Sequence, residues 1–186
     1  MGEQLPSVMD VLVKAYEESN GETVDLIVEH GELRGVTPEM FEWWGANIND
    51  SSRYRNWYPE DHISFKWEIP PSKGQVAASM LHAEEKIGEF PASVLHIRFE
   101  DPDSLSIPTI YRHCDGGSCI LGPDRKAIAW LCHEYEETPD GIKMRSTFRF
   151  PAKTPQRFLD AMRKHCKGEM GRLPEFLPEL YRQNVG

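Results

Sequence analysis

The run TPQRFLDAMRKHCKGEMG, residues 154–171, decides the fold. Thr154 followed by Pro155 reads as an N-cap and first helical position, so a helix is expected to start there. From Phe158, residues Met162, His165 and Glu169 follow at steps of 4, 3 and 4, on one stripe of that helix. The stripe is apolar at its start and ends in an imidazole and a carboxylate. Burying those two groups unpaired is costly, so the rest of the chain must supply partners.

Upstream of this helix, residues 62–150 carry the patterns of strands. Ile63, Phe65, Trp67 and Ile69 alternate with polar residues, and SVLHIRFE (93–100) places Leu95, Ile97 and Phe99 on one face. KAIAWLCHEYEE (126–137) and IKMRSTFRF (142–150) continue the pattern across the turn Thr138-Pro139-Asp140-Gly141, where Gly141 is expected to take a positive φ. Ser7 caps an expected helix over about 7–19, and Thr37-Pro38 opens another through MFEWWGANI, while 20–36 carry no clear pattern. Helices flanking a meander-like sheet, closed by one long helix, predict an α+β fold in which a curved antiparallel sheet grips the C-terminal helix. The expected division is an N-terminal helix and extension over 1–36 and a single catalytic domain over 37–186.

With 186 residues the chain suits one core. A formal charge of -9 argues against nucleic acid or anionic membrane as partner. No apolar run reaches the length of a membrane span, and the N-terminus MGEQLPSVMDVLVKAYEE reads as neither a signal peptide nor, through Gly2 and Ser7, a myristoylation site. Four cysteines without a CxxC pair read as reduced thiols, and the expected location is the cytoplasm.

His62 begins the first strand segment, and His133 shares a face with Ala129, Leu131 and Tyr135, so it is expected to point inward. Imidazole and carboxylate together suit Zn²⁺. Trp43 and Trp44 beside Phe41 read as packing, and His82, His96 and His113 as strand or surface residues. The acidic run Glu134, Glu136, Glu137 reads as a solvated strand end, and Asp115-Gly116-Gly117-Ser118 as a loop.

RYRNWYPEDH (53–62), EEKIGEF with LHIRFEDP (84–102), HEYEETPDGIKMRSTFRF (133–150) and HCKGEMGRLPEFLPELY (165–181) occur in an order that resembles the diacetylphloroglucinol (DAPG) hydrolase family, related to phloretin hydrolases. The similarity spans roughly residues 36–182. It implies a Bet v 1-like helix-grip fold and a zinc-dependent hydrolase that cleaves the carbon–carbon bond between an acyl group and a phenolic ring, with metal-held water as the nucleophile. Carried over by motif, His62, His133 and Glu169 match metal ligands, with Zn²⁺ or another divalent ion as cofactor. Glu85 is favoured over Glu84 as the remaining ligand, although strand parity leaves both open.

The resemblance further makes His165 a catalytic proton carrier and gives Tyr54 a role in holding a phenolic oxygen. Phe65 and Phe148 occupy substrate-binding positions where polar groups are expected, which argues against DAPG itself as substrate. The implied partner is a small aromatic or phenolic ketone, and a homodimer also comes into consideration. Two rivals remain at this level: a non-catalytic carrier of an apolar ligand, and a metal-free polyketide cyclase-like enzyme with His165 as base.

Overall fold

The computed structural model describes residues 5–186; Met1–Gln4, on which part of the N-terminal reading falls, lie outside the described residues. In chain order the elements are α1 (Val8–Glu18), β1 (Thr23–Glu29), β2 (Leu33–Arg34), α2 (Pro38–Asn47), α3 (Ser51–Trp57), β3 (His62–Ile69), β4 (Met80–Ile87) and β5 (Phe90–Glu100). After a 3₁₀ turn at Pro102–Ser104 come β6 (His113–Leu121), β7 (Lys126–Thr138), β8 (Gly141–Pro151), α4 (Gln156–Gly171) and α5 (Leu173–Val185). All pairings are antiparallel, in the order β1-β8-β7-β6-β5-β4-β3, with β2 also paired to β8. Helix α4 touches both β1 and β4, which lie near opposite ends of that order, so the sheet curves around the helix. This is the helix-grip arrangement.

Local chemistry explains most of the elements. Ser7 and Asp10 form a reciprocal capping box on α1, whose Val8, Val11, Leu12 and Ala15 are buried. Thr37 accepts from Met40 N and Pro38 occupies the first turn of α2. The stripe of α4 is buried as expected at Phe158, Met162, His165 and Glu169.

Four local expectations fail, each for a tertiary reason. Thr154 does not cap α4; its hydroxyl donates to Pro151 O at 2.8 Å, and Pro155 is the cap residue, with no side-chain bond. The unpatterned stretch 20–36 contains β1 and β2; β1 lies at a sheet edge and buries only Leu26 and Val28, which hides its alternation. Asp115–Ser118 is strand, not loop. A Cβ at Gly116 would stand 2.0 Å from Leu105 Cδ1, so these glycines serve close packing over the sheet. Gly141 is likewise not at positive φ; a Cβ there would meet Leu33 O of β2 at 2.2 Å.

Glu134 is also corrected. It is 1% exposed, faces Arg145 across β7 and β8, and accepts from the backbone N–H groups of Ile110 and Tyr111. Arg145 Nη2 and Nε each approach Glu134 Oε1 at 2.6 Å. Replacing Arg145 by Met strands this buried carboxylate, and a loss of about 3–5 kcal/mol is expected in urea unfolding. A loss below 1 kcal/mol would show that the two backbone donors suffice (roughly the worth of one neutral hydrogen bond).

Candidate metal centre and ligand cavity

The turn between α3 and β3 brings Asp61 and His62 to the inner side of the sheet. Strand parity alone would place His62 with Ser64 and Lys66, but the register shifts between His62 and Ser64, and His62 is 2% exposed. Its Nδ1 lies 3.1 Å from Tyr54 O, and its ring stacks on the Tyr54 ring with centroids 4.0 Å apart. The backbone carbonyl therefore takes Nδ1–H and leaves Nε2 as the acceptor nitrogen. That Nε2 is buried and has no hydrogen-bond partner.

Two carboxylates surround it. Glu85 Oε2 is 3.5 Å away and Glu169 Oε2 3.6 Å away. Parity along β4 decides between the adjacent glutamates: Glu85 is buried and faces inward, whereas Glu84 accepts from Ser64 Oγ at 2.8 Å on the other side. Glu85 is itself held by the Tyr54 hydroxyl, which donates to Oε2 at 2.5 Å. Tyr54 thus braces a carboxylate, and its ring lines the cavity.

His165, one helical turn before Glu169, completes the group. Its Nε2 is 3.7 Å from Glu169 Oε2, and its Nδ1 is 2.9 Å from Asp61 Oδ2. Candidate ligand atoms of His62, His165 and Glu169 lie within 4.8 Å of one another. Burial alone lowers the His165 imidazole, but the Asp61 hydrogen bond and the charges of Glu169 and Glu85 outweigh it and hold the group at about 9. Burial raises the Glu169 carboxyl, yet His165, His62 and His133 bring it below its ordinary value.

These residues fit a divalent cation. The separations of 3.5–3.7 Å are too long for hydrogen bonds. Tetrahedral ligands at ~2.0–2.2 Å from a common ion stand ~3.3–3.6 Å apart. An orphaned buried imidazole nitrogen at the centre of the group points the same way. Asp61 matches the carboxylate that commonly orients a metal-binding histidine.

His133 lies outside that group, on the cavity wall in β7. Its Nδ1 is 2.7 Å from Ser146 Oγ, and the same oxygen is 2.9 Å from His30 Nε2. One hydroxyl proton serves two imidazole nitrogens, so one ring receives it and the other donates back. Burial lowers the His133 imidazole against the pull of Glu169.

Burial and the neighbouring His133 likewise lower His30, to about 4 from 6.5. Between those pH values the unfolded chain binds the proton that the folded chain refuses. This contribution to stability is present above pH 6.5 and is lost as pH falls through 4. His30→Gln, which can keep the Ser146 contact, should therefore flatten the acid-side fall in stability by at most about 3 kcal/mol. An unchanged pH profile of urea midpoints would refute this.

The cavity enclosed by sheet and helix has a volume of about 160 Å³. That is similar to the ~150 Å³ cavity known to accept a benzene ring. Phe65 and Phe148 line it, as do Phe41 and Trp44, whose indole N–H has no partner. Glu85, His133, His165 and Glu169 open onto it together. No Lys or Arg lines it among the described residues.

The residues that sequence reasoning missed are Asp61, Ser146 and His30. Asp61 directly precedes His62 inside a quoted motif. Ser146 is the lone hydroxyl on the inward parity of IKMRSTFRF, between Met144 and Phe148. His30 carried no signal, because β1, which it directly follows, was not recognised.

The family described as DAPG hydrolase PhiG domain matches residues 16–182. The chain belongs to the DAPG hydrolase family. Membership supports a hydrolase of that group. No curated protein sequence matches. Among solved structures, Ara h 8.0201 aligns with TM-score 0.53 and 11% identity over 85% of this chain and 98% of its own. KanY protein gives 0.55 and 6% over 84% and 97%, and NE0264 from Nitrosomonas europaea 0.54 and 12% over 84% and 96%. At such identities the likeness concerns the fold alone, and it places this DAPG hydrolase family member among Bet v 1-like helix-grip proteins. Among its described residues, no helix is long and apolar enough to cross a membrane.

Proposed function

We propose that this DAPG hydrolase family member is a divalent-metal-dependent hydrolase, with zinc as the leading candidate, that cleaves the carbon–carbon bond joining an acyl group to a phenolic ring. The observation that carries the reading is the unpartnered His62 Nε2 between Glu85 and Glu169, with His165 fixed by Asp61 beside them. His62, Glu85, His165 and Glu169 would hold the ion. A cation bound there supplies Lewis acidity and lowers the pKa of water toward ~7.

The chain's own residues account for the remaining steps. The aromatic cavity holds the ring, and its largely apolar wall, with no Lys or Arg among the described lining residues, favours a neutral ketone over an anionic one. His133, neutral through burial and anchored at Nδ1, has Nε2 left for proton transfer. It takes a proton from the attacking water as oxygen bonds to the acyl carbon. The acyl–aryl bond then breaks with its electron pair going to the ring carbon, and His133 returns the proton there. The products are a carboxylic acid and the deacylated phenol. Phe65 and Phe148 offer no hydrogen bonds to a polyhydroxylated ring, so a less hydroxylated acyl phenol than DAPG suits this pocket.

Metal analysis combined with a panel of acyl phenols tests the reading. About one ion per buried site, activity lost on chelation and restored by metal would support it. A chain that binds no metal when supplied with it, yet retains an aromatic ligand unchanged, would be a carrier. The Asp61 brace gives a subtler check: Asp61→Asn should weaken metal binding about 10–100-fold. Equal affinity in competition with a chelator would remove Asp61 from the site.

A further inference from the structure

A second cluster of metal-ligating side chains lies on the opposite face of the sheet. Glu68 of β3, His82 of β4 and His96 of β5 sit on three neighbouring strands, and their candidate ligand atoms lie within 4.8 Å of one another. His82 and His96 are direct cross-strand partners whose ring centroids are 4.2 Å apart. Glu68 Oε2 is 2.8 Å from His82 Nε2. Arg125 binds the other carboxylate oxygen, Oε1, at 2.7 Å and so fixes the direction in which Oε2 points.

The cluster is separate from the buried centre. Along β4, Leu81, Ala83, Glu85 and Ile87 line the cavity, whereas His82 alternates to the outer surface. None of the three residues lines the cavity. Both imidazoles and the carboxylate are partly exposed, so small rotations can bring their donor atoms onto one ion, with water completing the coordination.

We propose that Glu68, His82 and His96 form an accessory site for a first-row transition-metal ion, which staples edge strand β3 to β4 and β5. Two imidazoles with one carboxylate suit Zn²⁺, Co²⁺ or Cu²⁺; Mg²⁺ and Ca²⁺ prefer oxygen ligands and are excluded by this donor set. Because β3 and β4 also carry His62 and Glu85, the staple would stiffen the hairpin beneath the buried centre without joining it.

The test titrates the full chain, stripped by a chelator, with Zn²⁺ and separately with Co²⁺. Glu169→Gln serves as a background in which the buried site is impaired. Micromolar binding should persist in that background. It should weaken by at least about ten-fold when Glu68→Gln is added, and disappear with His82→Ala and His96→Ala together. In the same Glu169→Gln background, substoichiometric Cu²⁺ should broaden the ring-proton NMR signals of His82 and His96. Zn²⁺ should also raise the unfolding midpoint in a way the double variant loses. Unbroadened ring signals, undiminished affinity in the double variant, or equal competition by Mg²⁺ would overturn the proposal. Loss of only the buried site leaves these readouts intact, so the two metal readings fail separately.

Discussion

On the proposed function, Glu169→Gln should leave the buried centre without metal and reduce the proposed acyl-phenol cleavage by more than about a thousand-fold, a loss of roughly 4 kcal/mol in transition-state stabilisation. The substitution is nearly isosteric, so the α4 stripe still packs against the sheet. What changes is charge. Glu169 is the carboxylate that faces both His62 Nε2 at 3.6 Å and His165 Nε2 at 3.7 Å, and a neutral amide there cannot balance a divalent ion in a buried site. Elemental analysis should find the buried equivalent missing while circular dichroism stays native. A variant that keeps the metal and full turnover would remove Glu169 from the centre and, with it, the proposed chemistry.

His133→Gln and His165→Gln should part company. The geometry groups His165 with His62 and Glu169 in a cluster that does not include His133. His133→Gln is therefore expected to retain the metal and lose roughly 10²–10⁴-fold in kcat, the worth of a positioned acid–base group. The acid limb of its pH profile should vanish with the imidazole. His165→Gln is expected to lose the metal first, because Nε2 is directed by the Asp61 bond at Nδ1. The motif resemblance implies the reverse pair of outcomes, with His133 a ligand and His165 the proton carrier. Metal content of the two variants, measured side by side, separates the assignments. A metal-free His133→Gln beside a metal-loaded, inactive His165→Gln would restore the motif-based roles.

Which glutamate and which histidines meet depended on features of different visibility. The α4 stripe was legible because a helix repeats its face every three to four residues, and a grip around it was legible because strands precede it. Glu85 and Glu84 could not be separated, since both faces of their segment carry mixed residues; in the folded sheet Glu85 shares the cavity-facing parity of Leu81, Ala83 and Ile87. His62 broke parity through a register shift that no local pattern encodes. Glu134 looked solvated because its partner Arg145 belongs to the next strand and its backbone donors to the distant 110–111 segment.

The amino-acid sequence by itself determined the helix grip, the acidic solution character and the four motifs that carry the family. It did so because hydrophobic period, turn residues and ordered motifs are properties of the chain taken a few residues at a time. Only the tertiary structure decided that His165, with Asp61 behind it, joins His62 and Glu169, and that Ser146 ties His133 to His30. Apart from the helical-turn pair His165 and Glu169, those contacts join residues from 13 to 116 positions apart. Their geometry is set by sheet curvature and strand register, which depend on the packing of the whole chain.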